Sequence, residues 1–219
     1  VKKHDRGQVL MACATGKTLT AAWAGLEMGA KTILVLVPSL ALARQIYKDW
    51  RDLAVMDNLA NWRWMAVCSD PTVSKERVPD VTTGELRTVV GNVSNDPQEI
   101  AAFLTQRSPC VIVATYHSAS VVAQGMPGRF KFDLGIFDEA HKTAGNPDKM
   151  FSFALLDKNV KIRKRLFFTA TPKSANYKVP GGEERTIFSM NDEEVYGPTF
   201  HSLSYCSAER QGLVAPYNV

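Results

Sequence analysis

The chain has 219 residues, 45% hydrophobic and 22% charged, with a formal net charge of +4. That is ordinary for a globular chain of one or two domains and enough to bury a full α/β core. The small positive balance permits a nucleic-acid partner without demanding one, no apolar run is long enough to span a membrane, and none of these residues reads as a signal peptide.

Val9 to Cys13 reads as a first strand. After the loop that follows it, Leu19, Ala22, Trp23 and Leu26 recur at helical spacing, which predicts a helix buried on that face and ended by Gly29. Thr32 to Val37 is a continuous aliphatic run, as expected of a parallel strand covered on both sides. Pro38-Ser39 turns the chain into a second helix, with Ala43, Ile46, Tyr47, Trp50 and Leu53 inward. Arg63 to Ser69 is a weaker strand. From Asp70 to Asn95 the periodicity breaks down, with a strand expected only at Leu86 to Val90. Asp96-Pro97-Gln98-Glu99 has the N-cap, N1 and N3 residues of a helix start, and Ile100, Phe103 and Leu104 supply its apolar face.

Cys110 to Ala114 is the next buried strand, leading into Thr115-Tyr116-His117-Ser118. Phe132 to Phe137 is another, running into Asp138-Glu139-Ala140-His141. Phe151, Ala154 and Leu155 mark a further helix. Arg165 to Phe168 reads as a last core strand before Thr169-Ala170-Thr171-Pro172. In the tail, Gly181-Gly182 and Gly197-Pro198 signal turns, Ile187 to Met190 and Thr199 to Tyr205 suit short strands, and Ser207 to Gln211 suits a short helix closed by Gly212. Strands alternating with helices predict an α/β fold: a doubly wound, mostly parallel sheet with helices on both faces. Ligands bind such sheets at the carboxyl ends of the strands, where the polar stretches after the first strand, Val37, Ala114, Phe137 and Phe168 all fall.

The four cysteines, Cys13, Cys68, Cys110 and Cys206, are scattered without a CxxC pair. They read as reduced thiols in a cytoplasmic protein rather than zinc ligands or disulfides. The chain opens at Val1 without Met and reaches its first polar loop at once, so a start inside a longer protein is expected.

Two stretches carry chemistry. Ala12-Cys13-Ala14-Thr15-Gly16-Lys17-Thr18 lies between a strand and an amphipathic helix. Backbone N–H groups of such a loop bind phosphate oxygens. Lys17 is placed to reach the β- and γ-phosphates of a nucleotide, and Thr18 to ligate Mg²⁺. Two carboxylates at the end of a buried strand are expensive unless a cation needs them. Asp138 then suits the Mg²⁺, through water, and Glu139 suits orienting and deprotonating the attacking water. His141 is placed to hydrogen-bond a neighbouring element.

The set Met-Ala-Cys-Ala-Thr-Gly-Lys-Thr, Val-Pro-Ser-Leu, Ala-Thr-Tyr-His-Ser, Asp-Glu-Ala-His and Thr-Ala-Thr resembles, in this order, the first RecA-like motor domain of superfamily 2 helicases and translocases. It is most similar to the DEAH motors of type I, type III and single-chain restriction enzymes. The resemblance covers Arg6 to Thr171. It implies a RecA-like P-loop NTPase domain over residues 1–173, with 174–219 as its end and the lead-in to a second RecA-like domain. It also implies ATP and Mg²⁺ as cofactors, DNA as a partner held by its backbone, and motor function within a restriction or phage-defence enzyme. Motif I is then Ala12 to Thr18, motif Ia Pro38 to Gln45, motif II Asp138 to His141 and motif III Thr169 to Thr171. Thr115, Tyr116 and Ser118 match the segment that touches the tracked strand, with Ser39, Arg44 and Gln45 near the same backbone. Hydroxyls and amides grip phosphates without reading bases. Ser39 and Ser118 also suit helix N-caps. Thr169 and Thr171 are expected to couple the DEAH segment to that gripping face.

Two residues depart from the pattern. Met11 stands where GxxxxGK[ST] begins with Gly, and Ala14 stands where the family usually has Gly. Ordinary dihedrals are expected at Ala14, because Gly16 remains beside Lys17. The adenine-reading glutamine segment, the second motor domain and its arginine fingers have no counterpart in these residues. An RNA helicase motor, or a nucleotide-gated binding domain without hydrolysis, shares the same motifs.

Overall fold

The computed structural model describes residues 3–56, 62–68, 83–145, 150–174 and 188–216. The strands are β1 (Arg6–Met11), β2 (Thr32–Val37), β3 (Arg63–Val67), β4 (Val93–Ser94), β5 (Cys110–Thr115), β6 (Phe132–Phe137), β7 (Ile162–Thr169) and β8 (Thr199–Leu203). The helices are α1 (Lys17–Glu27), α2 (Leu40–Met56), α3 (Thr83–Val90), α4 (Pro97–Thr105), α5 (Ala119–Gly125), α6 (Glu193–Tyr196) and α7 (Tyr205–Arg210), with 3₁₀ turns at Tyr116–Ser118, Ala140–Thr143 and Met150–Leu155. The eight strands form one sheet in the order β4-β3-β5-β2-β6-β7-β1-β8, and every ladder is parallel.

The aliphatic run of β2 explains the layering. Leu34 and Leu36 join the core beneath α4, α5 and the 150–155 turn. Ile33, Val35 and Val37 join the core beneath α1 and α2. A strand whose two alternating sets are both apolar must be covered on both faces, and this one is. The helix start at Asp96 is as expected: its side chain accepts from the Gln98 N–H at 2.8 Å, and Ile100, Phe103 and Leu104 are buried.

Several elements differ from the sequence reading. Leu86 to Val90 is helical, within α3, not a strand. Leu86 and Val90 are buried while Thr88 between them is exposed, which is i, i+4 spacing rather than alternation. On α1 the buried residues are Ala21, Ala22 and Gly25, whereas Leu19 and Trp23 are exposed. Small residues let α1 lie close on the sheet: a methyl built on Gly25 would already stand 3.0 Å from the Ile33 side chain. The large residues are therefore turned outward. The segment around Phe151 is a 3₁₀ turn, and α5 and α6 were not anticipated. Ser69, Asp70 to Thr82, Gly181-Gly182 and Ile187 lie outside the described residues. Of the expected strand ending at Met190, Phe188 makes a single antiparallel bridge to Gly145.

Arg165 to Phe168 is not the last strand of the sheet. β8 pairs with β1 on the far side from β7. Phe200 lies where a Gly7 side chain would be, its ring 1.9 Å from the built Cβ. Gly197 turns the chain into β8 at φ 72°, with a built Cβ 2.1 Å from the Arg6 carbonyl oxygen, so no other residue fits. The buried Gln8 side chain donates to the carbonyls of Met190 (2.9 Å) and Gly197 (3.0 Å), fixing the tail to β1. At the amino ends of the strands, buried Arg165 donates to the carbonyls of Ala154, Val160 and Ile162 and pairs with Asp157. Burial, then the charge of Arg6, lowers its pKa to about 10 against the opposing effect of Asp157.

Candidate active site

The carboxyl ends of β6, β7 and β1 are consecutive in the sheet, which brings three of the motifs together. After β1, Met11 is 5% exposed and packed in the core beneath α1. The position that the P-loop pattern gives to Gly is here the last residue of a strand, so its side chain leaves the loop clear. Ala14 stands at φ 62°. The expectation of ordinary dihedrals is overturned, because the loop reverses there in the left-handed region that Gly tolerates best. Gly16 follows at φ 87° as the N-cap of α1, with no side-chain capping bond and open space where a Cβ would stand. The Thr15 hydroxyl donates to the Ala12 carbonyl at 2.7 Å, and the Lys17 ammonium reaches back to the Met11 carbonyl at 3.4 Å. Trp50 of α2 donates to the Thr18 carbonyl at 2.9 Å, steadying the first turn of α1.

After β6, the Asp138 N–H donates to the Leu36 carbonyl at 2.9 Å, extending the β2–β6 ladder by one bond. Asp138 and Glu139 are both half-buried. Burial, then the charge of Glu139, raises the Asp138 carboxyl to a pKa of about 6, while the Glu139 backbone N–H and the Lys17 ammonium pull it down. A carboxylate so placed favours a neighbouring cation. Glu139 turns the chain at φ 49° and ψ 47°. His141 Nδ1 lies 2.9 Å from Thr169 Oγ1 and 3.3 Å from Glu139 Oε2, bridging β7 to the carboxylate. Burial lowers the pKa of this ring; Glu139 opposes that, and Lys142, Lys173 and Lys17 add to it. Thr169 is fully buried and its oxygen also accepts from the Thr171 N–H at 3.1 Å.

The residues fit a nucleotide with its metal. Gly16 leaves space at a helix start, Lys17 and Asp138 act on each other electrostatically, and the strand end carries a carboxylate held above its ordinary pKa. Among the described residues no group of three or more His, Cys, Asp or Glu forms a metal cage. Mg²⁺ needs none, since it is held by one or two protein oxygens plus phosphates and water.

The type III restriction enzyme res subunit family, ResIII, matches residues 1–174. The chain belongs to that family. It is a first RecA-like motor domain of superfamily 2, and its all-parallel α/β sheet is the RecA-like fold. This ResIII domain is similar to the DNA-bound ATP-dependent type ISP restriction-modification enzyme LlaBIII, with 28% identity and a TM-score of 0.76 over 99% of this chain and 15% of that one. It is likewise similar to a nuclease-deletion mutant of the type ISP enzyme LlaGI in complex with a DNA substrate mimic, with 28% identity and a TM-score of 0.68 over 97% of this chain and 19% of that one. The probable helicase A859L of African swine fever virus is 27% identical over 99% of this chain and 21% of its own length. The chain thus spans about a fifth or less of each of these proteins.

Around the ResIII site, the segments expected to meet nucleic acid divide in two. Ser39, Arg44 and Gln45 are exposed at the start of α2, and the Ser39 hydroxyl accepts weakly from the Leu42 N–H at 3.4 Å. Thr115, Tyr116 and Ser118 are 8%, 1% and 0% exposed. Thr115 and Ser118 bond each other at 3.0 Å, and the Tyr116 hydroxyl donates to the Asp138 carbonyl at 2.8 Å. The side chains of these three are spent on building the turn. The exposed member of that turn is His117. The sequence also gave no sign that the Leu203 carbonyl of β8 accepts the Ala12 N–H at 3.0 Å. Pairing between segments so far apart has no local signature.

Proposed function

We propose that this ResIII domain binds and hydrolyses Mg-ATP and couples the cycle to movement along DNA, within a larger restriction or phage-defence enzyme. The observation that carries the reading is the meeting of Lys17, Asp138, Glu139 and the His141–Thr169 bridge at adjacent strand ends. Lys17, the N–H groups at the start of α1 and Thr18 bind the phosphates and the metal. Asp138 holds the metal, and bound Mg²⁺ supplies charge neutralisation on the transferred phosphoryl group. Glu139 accepts the proton of the attacking water, and His141 holds that carboxylate in place. Ser39, Arg44 and Gln45 offer exposed polar groups to a sugar-phosphate backbone. DNA is favoured because the two similar type ISP enzymes are described with DNA. A second RecA-like domain completes the nucleotide site, and the free thiols suit a cytoplasmic setting.

ATP turnover by the intact protein with duplex DNA, single-stranded DNA or RNA tests this. Stimulation by DNA supports the reading. Stimulation by RNA alone makes it an RNA helicase motor, and ATP binding without turnover makes it a nucleotide-gated binding domain.

A further inference from the structure

The peptide group between Asp138 and Glu139 is held in an unfavourable orientation. Glu139 stands at φ 49°, which L residues with a side chain rarely adopt. Rotating this one peptide would return Glu139 to negative φ and swing its N–H away from the Asp138 carboxylate that it supports. The partner found on its carbonyl is the Tyr116 hydroxyl, donating at 2.8 Å. Tyr116 comes from the end of β5, and β2 lies between β5 and β6 in the sheet, so the phenol crosses a strand end to make this bond. Its ring packs at 5.2 Å from Phe151 and 6.4 Å from Phe137, centroid to centroid. At 1% exposure, water has little access to replace the bond. Burial holds the phenol well above its ordinary pKa, so it stays a donor. The next residue, His117, is exposed on the same turn.

We propose that Tyr116 is a positioning residue: its hydroxyl latches the Asp138–Glu139 peptide in the left-handed orientation that fixes where both carboxylates point. Through it, the turn after β5 is wired to the site of hydrolysis. The kinetic side of this rests on the ATPase reading above; the structural side does not.

Tyr116→Phe in the intact protein removes one oxygen and keeps the ring. The expected result is a kcat lowered about tenfold or more with KM for ATP within about threefold, and a severalfold higher Mg²⁺ concentration for half-maximal turnover. A crystal structure of the variant should show Glu139 at negative φ in some or all molecules. Unchanged turnover and Mg²⁺ dependence, or a Glu139 that keeps its positive φ in the variant, overturns the latch. A wild-type protein without ATP turnover defeats the ATPase reading alone, because the backbone of Glu139 in the variant still decides the latch. Should Tyr116→Phe melt several degrees lower, the backbone of Glu139 in its crystal structure decides: a negative φ supports the latch, and a retained positive φ assigns Tyr116 to packing.

Discussion

At Ala14 the phosphate loop holds a residue with a Cβ at φ 62°, a conformation that costs alanine roughly 1–2 kcal/mol more than glycine. The fold itself carries that strain. Ala14→Gly should therefore stabilise the domain by about 0.5–1 kcal/mol, after the greater entropy of an unfolded glycine is set against the relief. ATP affinity should stay within about threefold, read by titration. Tightening of about tenfold, or 1.4 kcal/mol, would instead show that nucleotide demands a further distortion of the loop. Glu139 and Lys17 are expected to separate cleanly. Glu139→Gln fills the same space but accepts no proton, so single-turnover hydrolysis should fall by orders of magnitude with ATP still bound. Lys17→Ala should weaken ATP binding itself. Wild-type hydrolysis by the glutamine variant would remove Glu139 from its role.

The end of β7 joins the two other strand ends of the site. Thr169 pairs in register with Leu10 of β1 and bonds His141 beyond β6, so a shift on either side reaches it. Replacing both Thr169 and Thr171 with Ala should leave ATP affinity within a few-fold while ATP is consumed without displacement of a DNA triplex. Equal loss of both activities would indicate misfolding, and unchanged displacement per ATP would make the motif purely structural. Much of this edge was legible in sequence, because a buried strand leaves a continuous apolar run and ends in whatever its ligand requires. β2 and β6 were read at their observed bounds. What was not legible depended on packing between distant segments. Leu19 and Trp23 had helical spacing, but the small face of α1 won the sheet. Tyr116 stands in a polar stretch that the resemblance gives to the tracked strand, and packing against Phe151 and Phe137, with its bond to the Asp138 carbonyl, makes it internal. A short helical stretch such as α3 offers too few turns for its period to stand out.

Across the whole molecule, the buried charge at Asp138 sets a pH dependence. Its pKa of about 6 lies above the ordinary carboxylate range because of burial first and Glu139 second. The folded state thus binds this proton more tightly than the unfolded chain does. Its contribution favours folding at acid pH and declines as pH rises through about 6. Near neutral pH without nucleotide, Asp138→Asn should raise stability by about 1–3 kcal/mol, worth several degrees in Tm. The gain should vanish at a pH below the ordinary carboxylate range. A gain of the same size at both pH values would trace it to packing instead. Mg²⁺-dependent turnover should fall as pH drops through about 6, the reverse direction, because metal binding needs the ionised form. The tail strand adds a mechanical consequence. β8 runs parallel to β1, and its last carbonyl, on Leu203, holds the first N–H of the phosphate loop, on Ala12. Tension applied to the polypeptide beyond β8 would load this ladder in shear, with its bonds sharing the force rather than peeling one by one. The first of them to bear it is attached to the loop that precedes α1, so a tug on the tail is a tug on that loop.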